Sequence, residues 1–84
     1  MVELVEYIVK YLVDNPDSVN ITSVRDGDEL NISLSVSQAD MGKVIGKQGK
    51  IARAIRYILK AVSLKENVKV NLEIEEIKWL YSNW

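Results

Sequence analysis

With 84 residues, a net charge of −1 and neither cysteine nor histidine, the chain has room for one small domain, which buries only about 60 to 65% of its unfolded surface. Disulfides and thiolate metal sites are excluded, and the commonest metal ligand and neutral-pH proton shuttle is missing, which argues against catalysis. Glu3 and Glu6 stand where a secretory signal needs a basic start, and no apolar run approaches the roughly 20 residues of a membrane span, so a soluble cytoplasmic protein with no cofactor, no metal and no small-molecule substrate is expected.

Val5, Ile8, Val9 and Leu12 recur at spacings of three and four, with Glu3, Glu6 and Lys10 between them, which predicts an amphipathic helix over 2–13. Asn15-Pro16 ends it, because the residue before proline is pushed out of the helical region. Val19 to Arg25 is β-branched enough for a strand, but the pattern Val19, Ile21, Val24 slips by one position, which predicts a bulge or an early strand end. Asp26-Gly27-Asp28 reads as a tight turn, and Leu30, Ile32, Leu34 and Val36 then alternate with Asn31, Ser33 and Ser35, completing a hairpin with one buried face.

Ser37, with Asp40 three residues on, has the form of a capping box, so 38–45 is expected to be helical, with Gly46 as its stop. A second helix is predicted from Lys50 to Leu64, with Ile51, Ile55, Ile58 and Val62 as its core stripe and Lys50, Arg53, Arg56 and Lys60 turned away. Val68, Val70, Leu72 and Ile74 alternate with Lys69, Asn71 and Glu73 as a third strand. The order α-β-β-α-α-β gives an α+β fold: a three-stranded sheet with three helices packed on one face.

Charge is divided along the chain. Residues 1–40 hold eight acids against Lys10 and Arg25, whereas 41–65 hold seven bases and no acid: Lys43, Lys47, Lys50, Arg53, Arg56, Lys60 and Lys65. A basic segment in an otherwise acidic chain attracts phosphate locally, although a solvated helix face would carry the same residues. Within it, Gly46-Lys47-Gln48-Gly49 is a loop bracketed by glycines between two helices. The glycines permit positive φ and close backbone approach, and the start of the following helix suits a phosphate. Gln48 can donate to a sugar or phosphate oxygen, and Lys47, Lys50 and Arg53 add positive charge. Lys43 lies one turn earlier, and Gly42 serves either ligand approach or helix packing. A nucleotide-binding P-loop is ruled out, since only three residues separate Gly42 from Gly46 and Gln48 stands where Ser or Thr is needed.

Val44-Ile45-Gly46-Lys47-Gln48-Gly49 resembles the KH signature, Val/Ile-Ile-Gly-x-x-Gly followed by x-x-Ile, whose closing Ile falls on Ala52, with Ile51 preceding it. The element order resembles the type II, prokaryotic version. More narrowly, the N-terminal helix, the Asp14-Asn15-Pro16 stop and the run from Asp40 to Gly49 resemble the small KhpA family of stand-alone bacterial KH proteins. The resemblance covers about residues 1–75. It implies a loop that clamps the backbone of about four unpaired nucleotides, with Gly46, Lys47, Gln48 and Gly49 in backbone contact and Val44 and Ile45 supporting the adjoining apolar groove. It also implies one parallel strand pair, a homodimer, and pairing with a larger KH-containing partner of the Jag type.

The KH domain is thus expected over 1–75 and an aromatic tail over 76–84. Both tryptophans, Trp79 and Trp84, lie in the last six residues. Such a tail can cap the core, form a subunit interface or stack on bases, the last disfavoured by Glu73, Glu75 and Glu76. Two functions stay open: a non-enzymatic module for single-stranded RNA, as chaperone or post-transcriptional regulator, and a protein-interaction module used for dimerisation. An enzyme comes third, because Asp26, Asp28 and Glu29 form a polar turn with no nucleophile or metal partner suggested nearby.

Overall fold

The computed structural model describes residues 1–76, so the aromatic segment 77–84 lies outside the described residues. In chain order the elements are α1 (Val2–Leu12), β1 (Asn20–Asp26), β2 (Glu29–Val36), α2 (Met41–Ile45), α3 (Lys50–Glu66) and β3 (Lys69–Glu76), with single 3₁₀ turns at Pro16–Ser18, Gln38–Asp40 and Lys47–Gly49. The expected order is therefore present. β2 lies at the centre of the sheet, antiparallel to β1 and parallel to β3. A parallel partner cannot be reached through a tight turn, and α2 and α3 form the crossover that such a pair needs.

One face of the sheet makes the core. Ile32, Leu34 and Val36 of β2 and Leu72 of β3 pack with Val5, Val9 and Val13 from α1 and its end, Val44 of α2, and Ile55 and Leu59 of α3. The other face carries Asn31, Ser33 and Ser35, where Asn71 donates to Asn31 and Glu29 across the strands. The strict alternation in β2 is the imprint of this one-sided burial.

Three expectations need correction. β1 has neither a bulge nor an early end: its pairing runs unbroken from Asn20 opposite Ser35 to Asp26 opposite Glu29. Val24 sits opposite Asn31 on the open face, 66% exposed, so the slip in the pattern is an apolar residue on the solvent side. The helix expected over 38–45 is split into the 3₁₀ turn and α2. On α3 the buried stripe is Ala52, Ile55, Leu59 and Ser63, rotated by one residue from the expected set. Ile58 is 44% exposed whereas Leu59 is 2% exposed. Ser63 enters the core at little cost because its hydroxyl donates to the Lys60 carbonyl at 2.7 Å. The helix ends at Asn67, whose left-handed φ of +56° is one that asparagine tolerates.

Candidate nucleic-acid interface

The loop is positioned from beneath by apolar residues on both sides. Val44 is wholly buried in the core and Ile45 packs against it, which anchors α2 to the sheet, while Ala52 and Ile55 do the same for the first turns of α3. Gly46 closes α2 by donating to the Gly42 carbonyl at 2.9 Å. Its φ of +77° and ψ of 175° lie in a region that only glycine occupies freely. There is also no room for a side chain, since a Cβ would stand 2.6 Å from Ile51 Cγ1 and 2.9 Å from the Ile51 amide nitrogen. Ile51, half-buried at the edge of the core, therefore closes the loop against α3. Gly49 differs: it is left-handed at φ +75°, but a Cβ added there would meet nothing within 4 Å. A Cβ at Gly42 would likewise meet nothing outside its own helix backbone, so close helix packing does not account for that glycine.

The sequence-predicted residues fall into three groups. Lys47, Gln48 and Lys50 are exposed at the loop, and among the described residues their side chains make no hydrogen bond or ion pair. Arg53, one turn into α3, donates from Nη2 to the Gln48 carbonyl at 3.3 Å. Lys43 faces the other way: its ammonium contacts the Asp14 carboxylate and lies 3.9 Å from Asp40 Oδ1. The hydrogen bond to Asp14 holds the Lys43 ammonium above its ordinary range, against a smaller opposing effect of burial and with added attraction from both carboxylates.

The capping box expected of Ser37 and Asp40 is not formed, because neither helix start carries a side-chain cap hydrogen bond; Asp40 is committed to a tertiary contact instead. At 1% exposure its carboxylate accepts from the backbone amides of Asp14 (3.1 Å) and Asn15 (3.0 Å) and from the Ser37 hydroxyl (3.1 Å). Burial pushes its pKa up, but the two amides, Ser37 and the Asn15 side chain together outweigh burial and hold it below the ordinary 3.8. The carboxylate thus ties the chain leaving α1 to the start of α2. A separate groove of about 1020 Å³ lies between α3 and β3, floored by Leu59, Val70 and Leu72 and flanked by Lys60 and by Asp26 and Asp28 of the hairpin turn. Arg56 spans it, with Nε and Nη2 both 3.2 Å from the Leu72 carbonyl. Arg56 was expected only to point away from the core, and no local pattern could have revealed its partner 16 residues on. Among the described residues no three acidic side chains come together as a metal site would require, and no helix is long and apolar enough to cross a membrane.

Residues 2–74 match the family model described as KhpA/KhpB, KH domain. The RNA-binding protein KhpA of Clostridium perfringens is 54% identical over 74 residues, which is 88% of this chain and 99% of that protein. The RNA-binding protein KhpA of Listeria monocytogenes is 53% identical over 76 residues, 90% of this chain and the whole of that protein. Among solved structures, Era in complex with MgGDPNP and nucleotides 1506-1542 of 16S ribosomal RNA matches with a TM-score of 0.59 at 20% identity, over 89% of this chain and 29% of that chain. At that identity the likeness speaks to the fold alone. With the element order, the single parallel strand pair and the glycine-bracketed loop, these matches make the chain a type II KH domain that belongs to the KhpA/KhpB family.

Proposed function

We propose that this protein binds single-stranded RNA through the Gly46–Gly49 loop, without catalysing a reaction on it, and serves as an RNA chaperone or post-transcriptional regulator in the cytoplasm. The observation that carries this reading is the loop itself: exposed Lys47, Gln48 and Lys50 beside Gly46, whose glycine-only backbone leaves no room for a side chain against Ile51. Such a loop brings main-chain amides and mobile cations against a phosphate backbone, and it fits the RNA-binding role in the names of the relatives. Gly42, with open space above it, lets the strand approach α2. Affinity from one short clamp is modest and rises when two copies bind one strand. The test replaces Lys47 and Gln48 together with Asp and measures binding to unstructured RNA by fluorescence anisotropy, with circular dichroism as the control for folding. Affinity should fall at least tenfold; an unchanged affinity in a folded double variant would sink the loop assignment.

A second reading, a dimerisation module with little RNA affinity of its own, is favoured by one observation. Tyr57 and Leu64, seven residues apart on one side of α3, are 77% and 74% exposed, and Ile58 is exposed on the flank of that side. In the combined proposal this apolar side supports a homodimer or pairing with a larger KH-containing partner of the Jag type. Sedimentation of wild type and Leu64→Glu, with and without RNA, separates the readings. A salt-insensitive dimer that binds no RNA supports the second.

A further inference from the structure

We infer that Arg53 is a positioning residue for the RNA loop: its guanidinium fixes the peptide between Gln48 and Gly49 in a left-handed turn instead of gripping phosphate. The inference rests on the loop being the RNA site. Its starting point is Gln48, which has φ +57° and ψ 25°, a left-handed conformation that an L-residue other than Gly, Asn or Asp rarely adopts. Gly49 follows at φ +75° and ψ 16°. Two left-handed residues in succession, one of them glutamine, need an external restraint.

That restraint acts on a single peptide plane. Its N–H, from Gly49, donates to the Gly46 carbonyl at 3.1 Å. Its C=O, from Gln48, accepts from Arg53 Nη2 at 3.3 Å. A plane bonded at both ends on opposite sides resists flipping, and the backbone of Arg53 is fixed within the regular α3 helix, which aims the guanidinium back at the loop. The loop therefore keeps its shape before any strand arrives, and the ordering cost that a flexible loop would incur on binding is already met by the fold. An arginine suits the task because its planar fork and permanent charge make a directional, charge-assisted bond to a carbonyl.

A phosphate contact and a positioning contact are separable by salt. Losing a cation that neutralises a phosphate flattens the dependence of log affinity on log salt by about 0.7 for a single strand. Losing a residue that only shapes the loop lowers affinity equally at every salt concentration. The experiment compares wild type, Arg53→Gln, Gln48→Asn and the double variant, using a fluorescein-labelled oligouridine across a salt series and amide NMR of the RNA-free protein. Arg53→Gln should bind about fivefold more weakly with an unchanged salt slope, matching the strain released at one left-handed residue. The amides of Gln48 and Gly49 should shift and exchange faster. Asparagine favours the left-handed region and keeps the carboxamide, so the double variant should recover to within about twofold of wild type. A flattened salt slope with unmoved loop amides, or a loss that Gln48→Asn does not restore, overturns the inference. If wild type binds no oligouridine even at low salt, the RNA reading fails, and the amide data on the RNA-free protein still decide whether Arg53 orders the loop.

Discussion

Replacing each glycine of the α2–loop–α3 segment with alanine should give effects that differ in size and in sign. At Gly46 the added methyl meets Ile51 Cγ1 at 2.6 Å and the Ile51 backbone nitrogen at 2.9 Å, in a conformation with φ +77° and ψ 175°. Backbone strain alone costs on the order of 1–3 kcal/mol, and the contact with backbone cannot be relieved by a rotamer change, so about 3 kcal/mol is expected. For a domain of this size that lowers Tm by roughly 12 °C or more. Gly49 has the same sign of φ but open space around it, so Gly49→Ala should cost only about 1 kcal/mol. Gly42 is inside α2, and a Cβ added there would meet nothing within 4 Å outside its own helix backbone, so Gly42→Ala should stabilise by about 0.5–1 kcal/mol. Thermal and urea unfolding followed by circular dichroism read all three, with RNA anisotropy alongside. If Gly42 admits the strand, its variant gains stability and loses affinity together. A Gly46→Ala variant within about 0.5 kcal/mol of wild type, or one less damaged than Gly49→Ala, would refute the closing role assigned to Ile51.

Asp40 sets an acid limit. Its folded pKa is lowered from 3.8, so its contribution is fully present above the unfolded value and is lost as pH falls through the lower folded value. Asp40→Asn should be less stable than wild type at neutral pH, and the gap between their Tm values should close below about pH 4, which a pH series of thermal melts checks. Leu34→Ala, at a wholly buried position in the central strand, should cost about 3 kcal/mol by urea unfolding. Arg56→Gln, which removes two donors from the Leu72 carbonyl, should cost about 1 kcal/mol and speed amide exchange in β3.

What the sequence revealed and what it hid follow one division. β2 and β3 were legible because one face of the sheet is buried and the other is not, and this imposes a strict period of two. α3 was legible as a helix but not in its rotation about its axis. Its apolar residues come as neighbours, Ile51-Ala52 and Ile58-Leu59, with Val62-Ser63 repeating the ambiguity, so two stripes one residue apart both looked suitable. The buried one includes Ala52 and Ser63, whose small or polar side chains concealed it. The loop was legible because glycine and charge are local signals. The contacts that hold it are not local: Asp40 meets amides 25 and 26 residues away, Lys43 meets Asp14, and Arg56 meets Leu72. Nothing in periodicity or composition reports a pairing across the fold.

Those pairings also change what the seven cations of residues 41–65 can do. Lys43 is engaged by two carboxylates, Arg53 by the Gln48 carbonyl and Arg56 by the Leu72 carbonyl. Lys60 and Lys65 sit ten or more residues beyond the start of α3, about 15 Å or more along the helix. Lys47 and Lys50 remain beside the loop with no partner among the described residues. If they neutralise one phosphate each, the salt slope is about −1.4, and affinity falls about sevenfold between roughly 50 and 200 mM salt. If all seven took part, the slope would approach −4.9 and the fall nearly a thousandfold. A slope near −2.8 is what two loops of a dimer on one strand would give. Lys47→Ala and Lys50→Ala should each flatten the slope by about 0.7 per loop engaged, and Lys60→Ala should leave it unchanged. A slope steeper than about −4 that responds to Lys60→Ala would mean that the whole basic helix, and not the loop, carries the binding.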